Sequence, residues 1–281
     1  MSVDIFKVIG KKPPVNVVDV GAMTLGAEHD AYYELVKARV ARVVGFEPVP
    51  EECERLNAIA AKGDKFLPYA IGDGSDGTLH VCNFPMNTSL YEPNLELLDR
   101  FQNLSHMYHI EQRVPVTTRR MHDIDEIKDV DFLKLDVQGA ELDVLRGAGR
   151  CLDDAVFVHT EAEFVPMYKD QPLFAEVDQF LRQAGFQFHK FGGVAGRPFK
   201  PLGFGDDDDN RPIGQLLWSD AVYVKDFMTL ETLPALKLLK LAIIAHLVYQ
   251  SVDLAAQAFK AHDAIRGTNL MDKYCRRLTR S

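Results

Sequence analysis

The sequence predicts an α/β fold built on a mainly parallel β-sheet, followed by a helix-rich C-terminal segment. Short β-branched runs alternate with helical patterns from residue 15 onward, which is typical of βαβ units. Glycine or acidic residues directly follow several of these runs, where parallel strands end at one edge of a sheet. The 281 residues are 47% hydrophobic and 26% charged, an ordinary globular composition that excludes a disordered or collagen-like chain.

The first third of the chain predicts three strands separated by two helices. The strands are short and apolar and cover residues 15–20, 42–47 and 65–71. The helices cover residues 27–40 and about 51–61, and Pro48 and Pro50 separate the second strand from the second helix. This alternation predicts parallel neighbours in one sheet.

The next sheet strand, residues 131–136, comes after about 60 residues, which is more than a crossover requires. The interval therefore holds extra structure, with strand character at 78–81 and 113–118 and a helical pattern at 92–102. The later elements are a helix at 140–145, a strand at 155–161, a helix at 173–184 and hairpin-like strands at 186–191 and 219–224. We expect about seven sheet strands.

Two segments lie outside this pattern. Residues 192–215 are rich in Gly and Pro and contain four consecutive acids, Asp206 to Asp209; we favour a solvated loop there over a site for a hard cation, because adjacent acids repel. Residues 230–265 are helix-rich, with a stripe of Leu236, Leu239, Ile243 and Leu247. We expect a domain at 1–228 and a helical appendage at 229–281, whose stripe either caps the domain or forms a homodimer.

Charge and targeting patterns exclude several classes of protein. The net charge of −9 disfavours nucleic acid and anionic membranes as partners. The apolar stretch at 233–249 is interrupted by Lys237, Lys240 and His246 and is too short to cross a bilayer. The N-terminal residues lack the apolar core of a signal peptide, and the four cysteines have no metal-ligand spacing, so we expect a cytoplasmic protein with reduced thiols.

The first strand and its turn, Val-Val-Asp-Val-Gly-Ala-Met-Thr-Leu-Gly, carry the first chemical signal. Gly21 ends the strand where ligands bind in such sheets, and Glu47 ends the second strand where an acid typically accepts hydrogen bonds from ribose hydroxyls. The pair favours a nucleoside-containing cofactor. The alternative is a tight turn followed by a carboxylate that caps a helix.

The details of the turn favour S-adenosylmethionine over NAD. A dinucleotide site needs Gly-x-Gly-x-x-Gly, but Met23 occupies the position of the second glycine. Asp19 offers a carboxylate that suits a cationic ligand. An NAD-dependent oxidoreductase stays as a disfavoured alternative.

Acidic residues on the fourth and fifth strands carry the second signal. Alternation places Lys134 and Asp136 on one face of an otherwise apolar strand, so this pair is either functional or a structural ion pair. His159, Glu161 and Glu163 also share one face. With Asp136 they could bind a metal ion, but we favour a hydrogen-bonded polar network and predict no metal site.

The runs Asp-Val-Gly-Ala, Gly-Phe-Glu-Pro, Ala-Ile-Gly-Asp, Thr-Ser-Leu and Asp-Phe-Leu-Lys-Leu-Asp-Val-Gln-Gly-Ala-Glu-Leu-Asp-Val-Leu-Arg-Gly-Ala together resemble those of FkbM-type methyltransferases, from about residue 15 to 223. The resemblance implies a class I, Rossmann-like fold, with a doubly wound, seven-stranded, mostly parallel sheet and an antiparallel last strand. It implies S-adenosylmethionine-dependent methyl transfer to a hydroxyl of a sugar, glycan or natural-product-like small molecule.

The resemblance also implies roles for individual residues. Gly21 and Ala22, with Asp19 and Met23 beside them, lie against the methionine part of the cofactor, and Glu47 binds its ribose. The adenine side is assigned to Ala70, Ile71 and Asp73. Asp136 lies beside both the cofactor and the acceptor and is the first choice for the base, with Lys134, Glu161 and Glu163 as further catalytic candidates and Glu141 nearby.

The sequence departs from the family pattern at two places. The family usually reads Asp-Val-Gly-Ala-Asn-x-Gly, whereas Met23 stands at the Asn position and Gly26 comes one residue late. Gln138 stands where the family favours Glu. A second hypothesis is therefore a degenerate binding or scaffold protein that recruits a partner through its C-terminal helices.

Overall fold

A computed structural model describes residues 3–23, 30–204 and 211–279 of the chain. Gly26, the start of the predicted helix at 27–40 and the run Asp206 to Asp209 lie outside the described residues. The described strands are β1 (Val15–Val20), β2 (Ala41–Phe46), β3 (Lys65–Leu67), β4 (Asp76–Cys82), β5 (Ile110–Thr117), β6 (Phe132–Leu135), β7 (Phe157–Glu163), β8 (Phe186–Ala195) and β9 (Trp218–Lys225).

The described α-helices alternate with these strands and then follow them. They are α1 (Ile5–Ile9), α2 (Tyr33–Lys37), α3 (Pro50–Ile59), α4 (Leu95–Leu98), α5 (Glu141–Arg146), α6 (Arg150–Asp154), α7 (Phe174–Gln183), α8 (Ala235–Leu247), α9 (Val252–Arg266) and α10 (Leu270–Leu278).

Seven strands form one sheet in the order β3-β2-β1-β6-β7-β9-β8. β1 pairs in parallel with β2 and β6, and β6 pairs in parallel with β7. β9 runs antiparallel to both of its neighbours, because the β8–β9 hairpin inserts the last strand between β7 and β8. The predicted doubly wound, seven-stranded, mostly parallel sheet with an antiparallel last strand is confirmed.

The extra structure between β3 and β6 is a separate two-stranded antiparallel ribbon of β4 and β5. The predicted helix at 92–102 is reduced to α4, because Asn94 caps its start and the chain leaves the helix before Phe101. Phe101 stacks on Phe199, with ring centroids 4.5 Å apart, and so ties this segment to the excursion after β8. The predicted strand at 65–71 ends at Leu67.

The sheet is buried on both faces. One face packs with α1, α8 and α9 and the other with α5 and α7. Leu239 and Ile243 of the predicted C-terminal stripe are buried in the first of these clusters, so they cap the sheet and are not available to a partner chain. Leu236, another residue of that stripe, is 48% exposed. None of the helices in the described part of the chain is both long and apolar enough to cross a bilayer.

Two lysines of α8 attach this helix to the chain just before β6. Lys240 is buried and contacts Asp131 at 2.7 Å and Asp129 at 3.2 Å. Lys237 contacts the same two carboxylates at 2.8 and 2.6 Å. These charges, which interrupt the apolar stretch in the sequence, are therefore neutralised inside the fold.

Candidate active site

A cavity of about 430 Å³ lies at the carboxyl ends of β1, β2, β6 and β7. Its volume lies in the range of sites for small molecules and cofactors. Nine residues of the predicted site line it: Gly21, Met23, Glu47, Ala70, Ile71, Lys134, Asp136, Glu161 and Glu163. Asp19, Ala22 and Asp73 do not belong to the lining.

The turn after β1 is held between two neighbouring strands. The backbone N–H groups of Gly21 and Ala22 both donate to the carbonyl of Phe46, at 3.0 Å each. Gly21 has a φ of +79°, and a Cβ added there would lie 1.8 Å from the carbonyl oxygen of Asp136. Glycine is therefore required for the close approach of β1 to the end of β6, and the neighbouring Ala22 is buried.

Asp19 is buried, does not line the cavity and has two side-chain partners. Lys134 Nζ is 3.1 Å from Asp19 Oδ1 and 3.6 Å from Asp136 Oδ2, and it donates to the carbonyl of Gly21 at 3.1 Å. The Tyr32 hydroxyl donates to Asp19 Oδ2 at 2.8 Å. Asp19 therefore positions Lys134 and the glycine turn, and its charge is already balanced within the protein.

Glu47 is a buried acid that lines the cavity where β2 ends. Its Oε1 accepts a hydrogen bond of 2.8 Å from the N–H of Val49. Burial raises the pKa of Glu47 from 4.5 to about 7, although this hydrogen bond opposes the rise. The surroundings of Glu47 fit a carboxylate that accepts hydrogen bonds from the hydroxyls of a bound nucleoside.

The segment after β3 contributes Ala70 and Ile71 to the cavity wall. Tyr69 also lines it, stacked on Phe46 at 6.4 Å and covered by the Arg119 guanidinium at 3.8 Å from its ring. Asp73 lies further along the same segment, where its carboxylate accepts from the N–H of Ser75. Asp73 thus stabilises a turn away from the cavity.

Asp136 and Glu161 are joined by the side-chain amide of Gln138. Its Nε2 donates to Asp136 Oδ1 at 2.9 Å and to Glu161 Oε2 at 2.5 Å, and its Oε1 accepts from the Tyr168 hydroxyl at 3.0 Å. Burial, together with the charges of Asp136 and Glu163, raises the pKa of Glu161 well above its usual value. The Gln138 amide therefore holds the carboxyl groups of Asp136 and Glu161 together, and Glu161 binds its proton strongly.

The other two acids near Asp136 have different surroundings. Glu141 accepts from the N–H groups of Val137 and Gly139, at 2.8 and 3.0 Å, so both of its oxygens close the turn after β6. Burial raises the pKa of Glu141 to about 7. Burial and the neighbouring Glu141 raise the pKa of Glu163, a buried residue of the cavity wall, well above its usual value.

His159 lines the same wall and contacts a further acid that the sequence did not single out. Its Nε2 is 3.6 Å from Asp220 Oδ1, and its Nδ1 is 3.2 Å from the Tyr249 hydroxyl. Asp220 pairs in register with Glu161 across β7 and β9, so the predicted hairpin could have indicated it. In residues 3–23, 30–204 and 211–279, no three His, Cys, Asp or Glu side chains are placed to hold a metal ion.

Sequence reasoning also missed Gln138 as a bridge and Tyr32 as a partner of Asp19. In the sequence, Gln138 was noticeable only as a departure from the family pattern. The contact of Tyr32 with Asp19 has no local sequence signal, because it forms through the tertiary fold. The residues between β4 and β5 that line the cavity form no recognisable motif in the sequence.

The strand order and a cavity at the carboxyl ends of the parallel strands define the Rossmann-like architecture of class I methyltransferases. The model of the family described as "Methyltransferase FkbM domain" matches residues 19–188, which is more than half of the chain. The chain belongs to the FkbM family of methyltransferases, and its methyl donor is S-adenosylmethionine. None of the curated proteins is significantly similar to the chain.

Several solved structures are distantly similar. A precorrin-6y C5,15-methyltransferase from Geobacter metallireducens is 9% identical, with 79% of this chain and 85% of that chain covered and a TM-score of 0.37. The plantazolicin methyltransferase BpumL, in complex with a triazolic desmethylPZN analog and SAH, is 11% identical, with coverages of 79% and 80% and a TM-score of 0.38. Likeness at this level says nothing about the acceptor.

Proposed function

We propose that this protein is an O-methyltransferase that methylates a hydroxyl of a sugar, glycan or natural-product-like small molecule. The observation that carries the proposal is the position of Asp136. Its carboxylate follows β6, lines the cavity shared with Gly21 and Glu47, and is held by Gln138 and Lys134. A carboxylate there can accept the proton of a hydroxyl that attacks a methyl group.

S-adenosylmethionine supplies a methyl group on a sulfonium, which is open to attack by oxygen. The protein's part is to position the acceptor hydroxyl in line with that methyl group and to take its proton. Glu47 and the Gly21 turn fit the nucleoside and methionine sides of the donor. Asp136 fits the proton-accepting side, because it lines the cavity and is held by the Gln138 amide that it shares with Glu161.

The first experiment measures thermal unfolding of the full chain with S-adenosylmethionine, its demethylated product or NAD. A ligand at 100 times its Kd stabilises a protein by roughly 2.7 kcal/mol, which is readily seen as a higher Tm. We expect stabilisation by the two S-adenosyl ligands and none by NAD. If no S-adenosyl ligand binds, the degenerate scaffold hypothesis is favoured.

The second experiment tests the role of Asp136. We expect Asp136→Ala to keep the Tm increase caused by the demethylated product and to lower methyl transfer to hydroxyl acceptors by about 10²–10⁴-fold, the usual contribution of a positioned base. The matched control is Asp272→Ala, which removes an exposed acid on α10. Wild-type methyl transfer in the Asp136→Ala variant would exclude Asp136 as the base.

A further inference from the structure

The part of the cavity lining that comes from the β4–β5 ribbon and from residues 83–109, the segment that connects these two strands, is predominantly apolar. Six apolar side chains of this region line it: Leu79, Pro85, Met86, Leu90, Leu104 and Met107. Met167 and Trp218, which come from other parts of the chain, extend the same lining. We call these eight residues the apolar chamber.

The polar residues of the same segment are engaged within the protein. The Asn87 side chain donates to the carbonyl of Met107 at 3.0 Å, and the Ser89 hydroxyl donates to the carbonyl of Gln138 at 2.6 Å. The Thr88 hydroxyl accepts from the N–H of Cys82 at 3.3 Å. These side chains hold the segment in place, so the surface that this segment offers to a ligand is mainly that of its apolar groups. Arg197, which also lines the cavity, lies over the Trp218 ring at 5.4 Å from its centroid.

Another part of the cavity lining, at the ends of β6 and β7, has the reverse character. Asp136, Glu161 and Glu163 line it, and Tyr108 of the connecting segment is close enough to Glu161 and Glu163 for their charges to help raise its pKa, after burial. A molecule that contacts both parts of the lining therefore needs a polar group as well as an apolar body.

We propose that the acceptor is an amphipathic alcohol or phenol, whose apolar body occupies the apolar chamber while its hydroxyl faces Asp136. This inference rests on the proposed function and selects among its acceptor classes. A free sugar in the chamber would lose hydrogen bonds with water around most of its hydroxyls and gain few partners. Methionine side chains adapt to irregular apolar shapes, so the chamber suits a family of related bodies.

The experiment measures binding of 4-alkylphenols to the full chain by calorimetry, with and without the demethylated cofactor. The series is phenol, 4-ethylphenol, 4-butylphenol and 4-hexylphenol, and the polar comparators are glucose and methyl β-D-glucoside. We expect the Kd to fall about fourfold for each added methylene, the usual effect of burying one such group, until the chamber is filled. The two sugars are expected to show no binding at the same concentrations.

Variants with side chains of nearly the same size then test whether the phenols bind in the apolar chamber. Met107→Gln and Met86→Gln keep side-chain length but introduce an amide, and each is expected to weaken binding of 4-hexylphenol about tenfold. The matched control is Met228→Gln, at a position that is 75% exposed and is not part of the chamber. It should leave the whole series unchanged.

Two outcomes overturn the inference: a Kd that does not depend on alkyl length, or tighter binding of either sugar than of 4-hexylphenol. A length dependence that persists unchanged in both chamber variants also overturns it, because binding then lies elsewhere. Failure of the proposed function is distinguishable, since it is seen as no binding of the demethylated cofactor, whereas the phenol series is also measured without that cofactor.

Discussion

Gln138 connects the acids of the site through a single planar amide. Both of its N–H protons point to carboxylates, and its oxygen accepts from Tyr168, so the amide orientation follows from its partners. The residue has a φ of +57°, and its own carbonyl accepts from Ser89. A glutamate here, as in the family pattern, would place a third carboxylate against two others.

We therefore expect Gln138→Glu to make stability pH-dependent. Crowding by the added carboxylate raises the folded pKa values of the new acid and of Glu161 above the unfolded ones, so the variant is close to wild type below about pH 4 and loses stability as pH rises. At pH 8 we expect a loss of about 2–4 kcal/mol in the free energy of unfolding. Urea unfolding at pH 5 and 8 measures it.

The matched variant is Gln138→Met, which removes the amide without adding charge. It should lose stability at both pH values, because the two carboxylates lose a shared donor. A deficit of the same size at both pH values in Gln138→Glu would contradict the bridging role.

The buried carboxyl of Glu47 is expected to lower the stability of the fold at neutral and higher pH and to strengthen binding of the cofactor. Its pKa is raised from 4.5 to about 7 by burial, so its protonated form stabilises the fold below pH 4.5 and this contribution is lost as pH rises through 7. Glu47→Gln removes the cost of ionising a buried carboxyl, so it should raise the free energy of unfolding at pH 8 by up to about 3 kcal/mol. The gain should vanish at pH 4.

The same variant should weaken binding of the demethylated cofactor, because an amide is a poorer acceptor for ribose hydroxyls than a carboxylate. Calorimetric titration at pH 8 measures the change, which we expect to be about tenfold. The control is Glu54→Gln, an exposed acid on α3 that should change neither quantity. Unchanged affinity in Glu47→Gln would refute the ribose role.

At the scale of elements, the turn after β1 depends on a glycine for two separable reasons. Gly21 has a positive φ, and its Cα faces the carbonyl of Asp136. Gly10, which ends α1, has nearly the same φ, at +78°, but no atom in the described part of the chain lies within 4 Å of a Cβ added there. Substituting each of the two glycines therefore distinguishes the cost of backbone strain from the cost of a steric clash.

We expect Gly10→Ala to cost roughly 1 kcal/mol, from the left-handed backbone alone. Gly21→Ala should cost about 3 kcal/mol or more, since β1 and β6 must also move apart, and it should abolish binding of the demethylated cofactor. Chemical unfolding and cofactor titration of both variants measure these effects. Equal costs in the two variants would show that the close contact with Asp136 is unimportant.

For the whole molecule, the charged contacts of α8 lie at the other end of the strands from the cavity. Asp131, which immediately precedes β6, is fully buried and is contacted by both Lys237 and Lys240. The N–H of Asn16 also donates to its carboxylate at 2.8 Å. This network joins the C-terminal helices to the centre of the sheet.

Lys240→Met should destabilise the protein by about 3–5 kcal/mol, because it removes one partner of a buried carboxylate. The double variant Lys240→Met with Asp131→Asn should lose less than the sum of the two single changes, since no unbalanced charge remains. Affinity for the demethylated cofactor should stay at the wild-type value in every variant that folds. Additive losses in the double variant would show that the two side chains are not coupled.

Much of the fold followed from local patterns. The strands, their order in the chain and the residues at their carboxyl ends could be predicted, because burial and alternation leave a short-range signal along the sequence. This signal was sufficient for Gly21, Glu47 and Asp136 to be expected at one edge, and all three line the cavity. The helix at 92–102 was overestimated, because its limits depend on Asn94 and on contacts of Phe101 with a distant segment.

Other properties came from contacts between residues far apart in the chain. Asp19 is buried under Lys134, and Gln138 stands between Asp136 and Glu161. Asp73 lies away from the cavity although its neighbours Ala70 and Ile71 line it. No periodicity encodes such contacts, because each depends on how strands and loops meet in space. Sequence pattern therefore predicts which residues reach the edge of the sheet, while packing sets which of them face the ligand and which support it.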